Sequence, residues 1–105
     1  MKQIKSKKEF EELVVEEQSN ALVKFSAGWC GPCKVLGQTI EEVENDYPNV
    51  KFIEVDVDSA DEDFLNDFSI RSVPKVVLYK KGEKIEEFLG AVGKQQLLDK
   101  LGKII

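Results

Sequence analysis

The sequence contains no histidine, only two cysteines, and no apolar run of the length that crosses a membrane. Histidine and cysteine supply most zinc ligands, and a closed zinc site takes four of them. A membrane-spanning helix needs about 20 predominantly apolar residues. We therefore expect neither a metal site built by one chain nor insertion into a membrane.

Positive charge is in the minority, since 15 lysines and arginines stand against 20 acidic residues, for a net charge of −5. An acidic surface repels phosphate backbones, so nucleic acid is not an expected partner. Charged residues interrupt the N-terminal segment M-K-Q-I-K-S-K-K-E-F, where a signal peptide would need an apolar stretch. We therefore expect a cytoplasmic protein, in a compartment where cellular reductants keep structural thiols reduced.

The residues that are present suffice for one compact domain spanning 1–105, because 42% of the 105 residues are hydrophobic and no linker or repeat divides them. Apolar spacing predicts a possible first strand and then the order α-β-α-β-α-β-β-α. This alternation predicts an α/β fold with parallel strands covered by helices on both faces and an antiparallel hairpin at one edge. The most apolar early strand, A-L-V-K-F-S-A, is expected near the centre of the sheet.

Two sequence patterns predict helix starts. Ser6 with Glu9, and Ser59 with Glu62, each match the capping box, in which a serine and a glutamate three residues later bond reciprocally to backbone N–H groups. We expect both boxes to form.

Both cysteines and the only tryptophan fall in one stretch, F-S-A-G-W-C-G-P-C-K-V-L. The unpaired N–H groups and the dipole at a helix start favour negative charge, so a Cys30 thiolate there should have a lowered pKa. Pro32 suits the first helical turn, and Gly31 lets a partner backbone approach closely. We expect Cys30 to be exposed and Cys33 to be more buried, within reach to attack it.

Three other interpretations of the cysteine pair compete with a working dithiol. A structural disulfide closing so short a loop stabilises a fold by only about 2 kcal/mol, and the cytosol opposes it. A metal site would need further ligands from a second chain. Two inert core thiols are the third possibility, and the intervening Gly-Pro argues against them.

The stretch W-C-G-P-C-K, from Trp29 to Lys34, resembles the active site of the thioredoxin family. The resemblance covers the whole chain. It includes L-V-K-F before the motif, S-I-R-S-V-P-K-V-V-L-Y-K-K-G-E from Ser69 to Glu83, and G-A-V-G-K-Q-Q-L from Gly90 to Leu97. It implies the thioredoxin fold, a central mixed sheet of four to five strands flanked by about four helices.

The resemblance implies a protein disulfide reductase, which is a dithiol–disulfide oxidoreductase. Cys30 would then be the nucleophile that attacks a substrate disulfide, and Cys33 would resolve the mixed disulfide. The product is a redox-active Cys30–Cys33 disulfide, with no bound cofactor. The implied partners are disulfide-containing proteins and a thioredoxin reductase that restores the dithiol, and we expect a monomer.

The resemblance also implies a substrate groove. Pro74 matches the cis proline of the family, although an ordinary proline at a strand start is the alternative. Val73 would offer its backbone groups to an extended substrate. A flat apolar rim would be completed by Trp29, Gly31, Pro32, Gly90 and Ala91.

Two charges depart from the family pattern. Lys24 stands where the family usually has a buried aspartate, and Glu54 stands where it usually has a lysine. We hypothesise a reversed ion pair behind the cysteines, because a lone buried charge is costly. Separate extension of both side chains to water is the alternative. In such a pair Lys24 would favour the Cys33 thiolate, while Glu54 or water would accept protons, so both residues would tune the redox reaction.

Lys75 is a third departure, since it follows Pro74 where threonine is usual. Together with Lys34 and Arg71 it would give the active-site face a positive character, unless all three side chains are merely solvated.

Two other functional classes remain open. A binding module could use the fold as a scaffold, but the intact Cys-Gly-Pro-Cys argues against a purely structural role. An oxidant or isomerase could share the fold, but the Gly-Pro pair and the absence of an export signal favour a reductant.

Overall fold

The computed structural model describes residues 1–105, and its centre is a single mixed sheet with the strand order β1-β3-β2-β4-β5. The strands are β1 (Lys2–Ile4), β2 (Asn20–Ser26), β3 (Val50–Asp56), β4 (Lys75–Lys80) and β5 (Glu83–Leu89). The first three strands are parallel, whereas β4 runs antiparallel to β2, and β5 antiparallel to β4. The predicted α/β class, the central place of β2 and the antiparallel edge are confirmed.

Four helices cover the two faces of the sheet. They are α1 (Lys7–Phe10), which continues as a π-helical segment over Glu11–Glu16, α2 (Gly31–Val43), α3 (Glu62–Asp67) and α4 (Lys94–Leu101). None of these helices combines the length and the apolar character that crossing a membrane requires.

Only the first of the two predicted capping boxes forms. Ser6 Oγ accepts a hydrogen bond from the Glu9 N–H at 3.2 Å, and the Glu9 carboxylate accepts one from the Ser6 N–H at 3.3 Å. The prediction for Ser59 with Glu62 is wrong, because the Ser59 N–H bonds to the Asp56 carbonyl in a turn. Helix α3 starts after this turn, with Asp61 as its N-cap.

Side-chain alternation along β2 supplies two separate cores. Phe25 points to the face covered by α1 and α3 and packs in an aromatic cluster, with its ring centroid 4.9 Å from that of Phe68. Leu22 points to the opposite face, where α2 and α4 contribute aliphatic residues such as Leu36 and Leu97. Lys24 shares the parity of Leu22, so the fold places this lysine underneath α2.

Candidate active site

The two cysteines lie at the junction where β2 ends and α2 begins, beyond the carboxyl end of the central strand. Cys30 is the N-cap of α2, and Gly31, Pro32 and Cys33 are its first three residues. Pro32 is tolerated because N–H groups in the first turn have no intrahelical partner. Cys30 and Cys33 form a disulfide, with their Cα atoms 5.3 Å apart.

A backbone N–H group in the first turn of α2 points at the sulfur of Cys30. The Cys33 N–H donates a hydrogen bond to Cys30 Sγ at 3.1 Å. When the disulfide is reduced, the same N–H and the positive end of the helix dipole stabilise a thiolate at Cys30 more than a thiol. A cysteine at the start of a helix is in a position that favours thiol reactivity.

The prediction that Cys30 is exposed is wrong. Cys30 is only 5% exposed, and Cys33 is 2% exposed. Ala27, Val57 and Val73 pack around the pair, and the Val73 carbonyl oxygen lies 3.8 Å from Cys30 Sγ. The spacing of the motif places the sulfurs at the helix start, but it carries no information about the loops that cover them.

A groove runs beside Cys30, which we call the front groove. Its open volume is about 530 Å³. Its apolar wall is formed by Trp29, Val57, Leu65, Ile70 and Val73. Trp29 is 73% exposed, and its Nε1–H donates a hydrogen bond to Asp58 at 3.0 Å. The ring is thus fixed at one end while its apolar faces remain free for contact.

The segment before β4 borders the same groove. The peptide bond between Val73 and Pro74 is cis. The Gly90 N–H donates to the Pro74 carbonyl at 3.0 Å, which brings Gly90 and the exposed Ala91 beside the proline. Gly90 has φ +88°, a conformation that favours glycine. Gly90 therefore lies beside Pro74, and the preceding Val73 contacts the cysteine pair.

Sequence reasoning missed Val57, Leu65 and Ile70 as groove residues. Val57 directly follows β3, so the rule that ligands gather beyond the carboxyl ends of strands could have indicated it. Leu65 and Ile70 carried no such signal, because their place depends on how α3 packs against the sheet.

Behind Cys33, strand register brings together Lys24 and Glu54, whose charges are exchanged relative to the family pattern. Lys24 on β2 lies directly across from Glu54 on β3, and Gln3 on β1 lies across from Glu54 on its other side. Lys24 Nζ is 2.9 Å from Glu54 Oε2, so the two side chains form an ion pair. The lysine side chain is 3% exposed and the glutamate side chain 21%.

Two further hydrogen bonds hold the Glu54 carboxylate in place. Gln3 Nε2 donates to one of its oxygens at 2.5 Å, and Ser26 Oγ donates to the other at 3.1 Å. Burial opposes ionisation of Glu54, but the hydrogen bonds from Lys24, Gln3 and Ser26 outweigh burial, so the pKa of this carboxyl lies below its ordinary value. Glu54 is therefore a carboxylate at neutral pH.

The ion pair lies on a second open cavity, which we call the back cavity, with a volume of about 580 Å³. The lining residues that matter here are Lys24, Ser26, Cys33, Gly37, Glu54 and Asp56. Because Cys33 lines the back cavity together with Lys24 and Glu54, the ion pair and the second cysteine border one open space.

Lys75 does not contribute to a positive active-site face as predicted. It is 8% exposed, because alternation along β4 turns its side chain toward α3. Its Nζ donates to the Phe68 carbonyl at 2.8 Å and lies 3.6 Å from Glu87 Oε2. Lys34 and Arg71 are the exposed members of the predicted group.

The Cys30–Cys33 pair at the start of α2 is suited to exchange between thiols and disulfides. No cluster of three or more cysteine, aspartate or glutamate side chains is arranged to hold a metal ion. The disulfide between the N-cap cysteine and Cys33 can accept two electrons and two protons and become a dithiol. Fold and site together define a dithiol–disulfide oxidoreductase.

Comparison with known proteins identifies the class more closely. The thioredoxin family model matches residues 2–103. The chain is 38% identical to a thioredoxin of Mycoplasmoides gallisepticum over 101 residues, which cover 96% of this chain and 99% of that protein. It is 40% identical to human thioredoxin over 92 residues, which cover 87% of each.

Solved structures agree with these sequence relatives. The thioredoxin of Fasciola hepatica superposes with a TM-score of 0.89 at 28% identity, covering the whole of both chains. The thioredoxin of Plasmodium falciparum superposes with a TM-score of 0.87 at 31% identity, also over both complete chains. This chain belongs to the thioredoxin family.

Proposed function

We propose that the protein is a cytosolic protein disulfide reductase, with Cys30 as the nucleophile and Cys33 as the resolving cysteine. One observation carries the proposal: Cys30 Sγ caps α2 and accepts the Cys33 N–H at 3.1 Å. This geometry prepares one sulfur as a stabilised thiolate and holds the second within bonding reach of it. Gly31 and Pro32 maintain the tight turn that makes the arrangement possible.

The reaction proceeds in two exchanges. The Cys30 thiolate attacks one sulfur of the substrate disulfide, the substrate S–S bond breaks, and the released sulfur takes up a proton. Cys33 then loses its proton and attacks Cys30 Sγ, and the second substrate sulfur leaves and is protonated. Two electrons pass to the substrate, and the protein is left with the Cys30–Cys33 disulfide. The dithiol carries both electrons, so the reaction requires no bound cofactor.

Substrate binding is assigned to the front groove and its rim. Val73 would offer backbone groups to an extended segment of the substrate, in the manner of an added strand. Trp29, Gly90 and Ala91 would provide flat contact next to the disulfide, while Pro74 is buried and would hold Gly90 beside the groove. Because these groups are mainly apolar or backbone, the groove would accept disulfides in many sequence contexts.

Lys24 and Glu54 are assigned a redox-tuning role at the back of the site. A fixed positive charge near a thiol favours its thiolate, so Lys24 would assist the deprotonation of Cys33. Glu54 has a lowered pKa because its hydrogen bonds outweigh burial, so it would hold Lys24 in place rather than retain the proton. Water in the back cavity would then take the proton from Cys33.

The proposal is tested by reduction of a model disulfide protein with two electron sources. One assay supplies dithiothreitol, and the other supplies NADPH with a thioredoxin reductase. We expect turnover with both, and none for Cys30→Ser. Activity with dithiothreitol but not with NADPH and thioredoxin reductase would contradict the proposed reductase partner. Inactivity with both electron sources would contradict the proposed function as a protein disulfide reductase.

Two further measurements test the proposed oligomeric state and cellular location of the protein. Light scattering in solution should give the mass of one chain, as expected for a protein that presents its site to many partners. Cell fractionation should place the protein in the cytosol, where a cellular reductant can restore the dithiol. A stable dimer or an exported protein would contradict these two parts of the proposal.

A further inference from the structure

Gly37 is an unusual residue for its position in the interior of α2. Glycine in a helix interior is about 1 kcal/mol less favourable than alanine. A β-carbon added at Gly37 would lie 3.1 Å from Lys24 Nζ, with no other neighbour within 4 Å outside its own stretch of helix. The lysine ammonium therefore occupies the space that a side chain at position 37 would need.

The ammonium is held in this space from the opposite side. Glu54 Oε2 accepts its hydrogen bond at 2.9 Å, and the carboxylate is itself fixed by Ser26 and Gln3. Lys24 thus lies between β3 and the backbone of α2, and it is 3% exposed. A β-carbon at position 37 would push the ammonium away from α2 by a few tenths of an ångström.

Cys33 and Gly37 are four residues apart, so they lie on the same face of α2, one turn from each other. Both line the back cavity with Lys24. The other charged residues on this cavity are Glu54 and Asp56 from β3, Lys34 and Glu41 from α2, and Met1, whose amino group pairs with Glu44 at 3.3 Å. Lys34 and Glu41 are exposed, so water and salt screen them, and Asp56 adds an opposing negative charge.

We propose that Gly37 is a positioning residue for the second exchange: its missing side chain seats the Lys24 ammonium against α2, one turn from Cys33, where the positive charge favours the Cys33 thiolate. The inference rests on the proposed function and assigns a residue to its resolving step. In that step the Cys33 thiol releases its proton to water in the back cavity, and the thiolate then attacks Cys30 Sγ. No other reactant is involved.

The test is a mutant cycle of Gly37→Ala, Lys24→Met and the double variant, followed by stopped flow. The reduced protein is mixed with an aromatic disulfide that releases a coloured thiolate. The first release reports attack by Cys30, and the second reports resolution by Cys33. The pH dependence of each phase is recorded separately.

Gly37→Ala should move the pH profile of the second phase upward by a few tenths of a pH unit, so that this phase is about two- to threefold slower on the acidic side. Lys24→Met should have at least that effect, and Gly37→Ala should add nothing to it. The first phase should change little. Gly93→Ala is the matched control, because a β-carbon there meets nothing within 4 Å, and it should leave both profiles unchanged.

Stability gives an independent readout of the same cycle. In the Lys24→Met protein, Gly37→Ala should raise the urea midpoint, as alanine normally does in a helix. In the presence of Lys24 this gain should be smaller or reversed, because the two groups compete for one space.

Two results would overturn the inference. One is a second-phase profile in Gly37→Ala that matches the original protein. The other is an equal shift with and without Lys24, because the substitution would then act on the helix and not through the ammonium. Loss of the first phase in every protein would instead contradict the proposed function.

Discussion

Cys30 and Cys33 share one disulfide, yet the two sulfurs meet different surroundings. Beside Cys30 the contacts come from backbone groups and apolar side chains, namely the Cys33 N–H, the Val73 carbonyl and the packed Val57. Beside Cys33 the back cavity is lined by charged side chains, with Lys24 and Glu54 paired in it.

The difference indicates two ways to control a thiol. The start of a helix stabilises a thiolate through backbone groups that every sequence has, so the Cys30 side tolerates changes in its neighbours. The Cys33 side adjoins charged side chains from separate strands, so in the proposed mechanism a change of charge there should alter the reaction directly. The predictions below test this contrast between the front and the back of the disulfide.

The largest effect should come from the cysteines themselves. Cys30→Ser and Cys33→Ser should both abolish catalytic turnover, since neither variant can complete the two exchanges. Only Cys33→Ser should accumulate a mixed disulfide with the substrate, because it keeps the attacking sulfur and lacks the resolving one. Mass spectrometry of the trapped adduct checks the prediction, and an adduct on Cys33 in Cys30→Ser would reverse the two roles.

The second effect concerns the stability of the back side. Glu54→Ala leaves the buried Lys24 ammonium without its partner, which should cost about 3–5 kcal/mol. Lys24→Met leaves a more exposed carboxylate that keeps the hydrogen bonds from Gln3 and Ser26, so it should cost about 1–3 kcal/mol. Urea unfolding of the oxidised proteins gives both values.

The matched control for these variants is Lys7→Met. It breaks the pair with Asp67, whose two side chains are 56% and 46% exposed. Exposed ion pairs contribute little, so no resolvable change is expected. Equal losses for Glu54→Ala and Lys24→Met would show that burial does not determine the cost of an unpaired charge here.

The fold and the reacting residues could be predicted from the sequence because their signals are local. Apolar periodicity located β2 and α2, and the Cys-Gly-Pro-Cys spacing fixed both sulfurs at the junction between them. The Lys24–Glu54 pair was also expected, because two charges in apolar strands need partners.

The features that were predicted wrongly or missed depend on contacts between distant parts of the chain. Burial of Cys30 requires Val57 and Val73 from two other segments, and Lys75 turns inward because the Phe68 carbonyl is available to it. The role proposed for Gly37 depends on the register of β2 with β3 and on how closely α2 approaches the sheet. Periodicity does not encode these distances.

The third effect belongs to the front groove. Trp29→Ala should raise KM for a protein disulfide about three- to tenfold, because an exposed aromatic ring supplies contact area to a bound partner. Its effect on stability should be small, since Trp29 is 73% exposed. Steady-state kinetics with the reductase-coupled assay measure the change. Ile85→Ala, an exposed apolar residue on β5 away from the site, should leave KM unaltered, and an equal rise there would exclude a specific role for Trp29.

The smallest effect is a pH dependence of stability that the back side contributes through Glu54. Hydrogen bonds that outweigh burial lower the pKa of Glu54 in the folded protein, so its ionised form stabilises the fold above the ordinary glutamate pKa of about 4.3. This contribution is lost as the pH falls through the lower folded-state pKa. The stabilities of the original protein and Glu54→Gln should therefore converge from pH 5 toward pH 3, as measured by urea unfolding.

The control is Glu12→Gln at an exposed position, whose stability should follow that of the original protein at every pH. A constant gap between the Glu54→Gln and original curves would mean that the Lys24–Glu54 pair does not depend on the charge of Glu54, which would remove the electrostatic contrast between the two sulfurs.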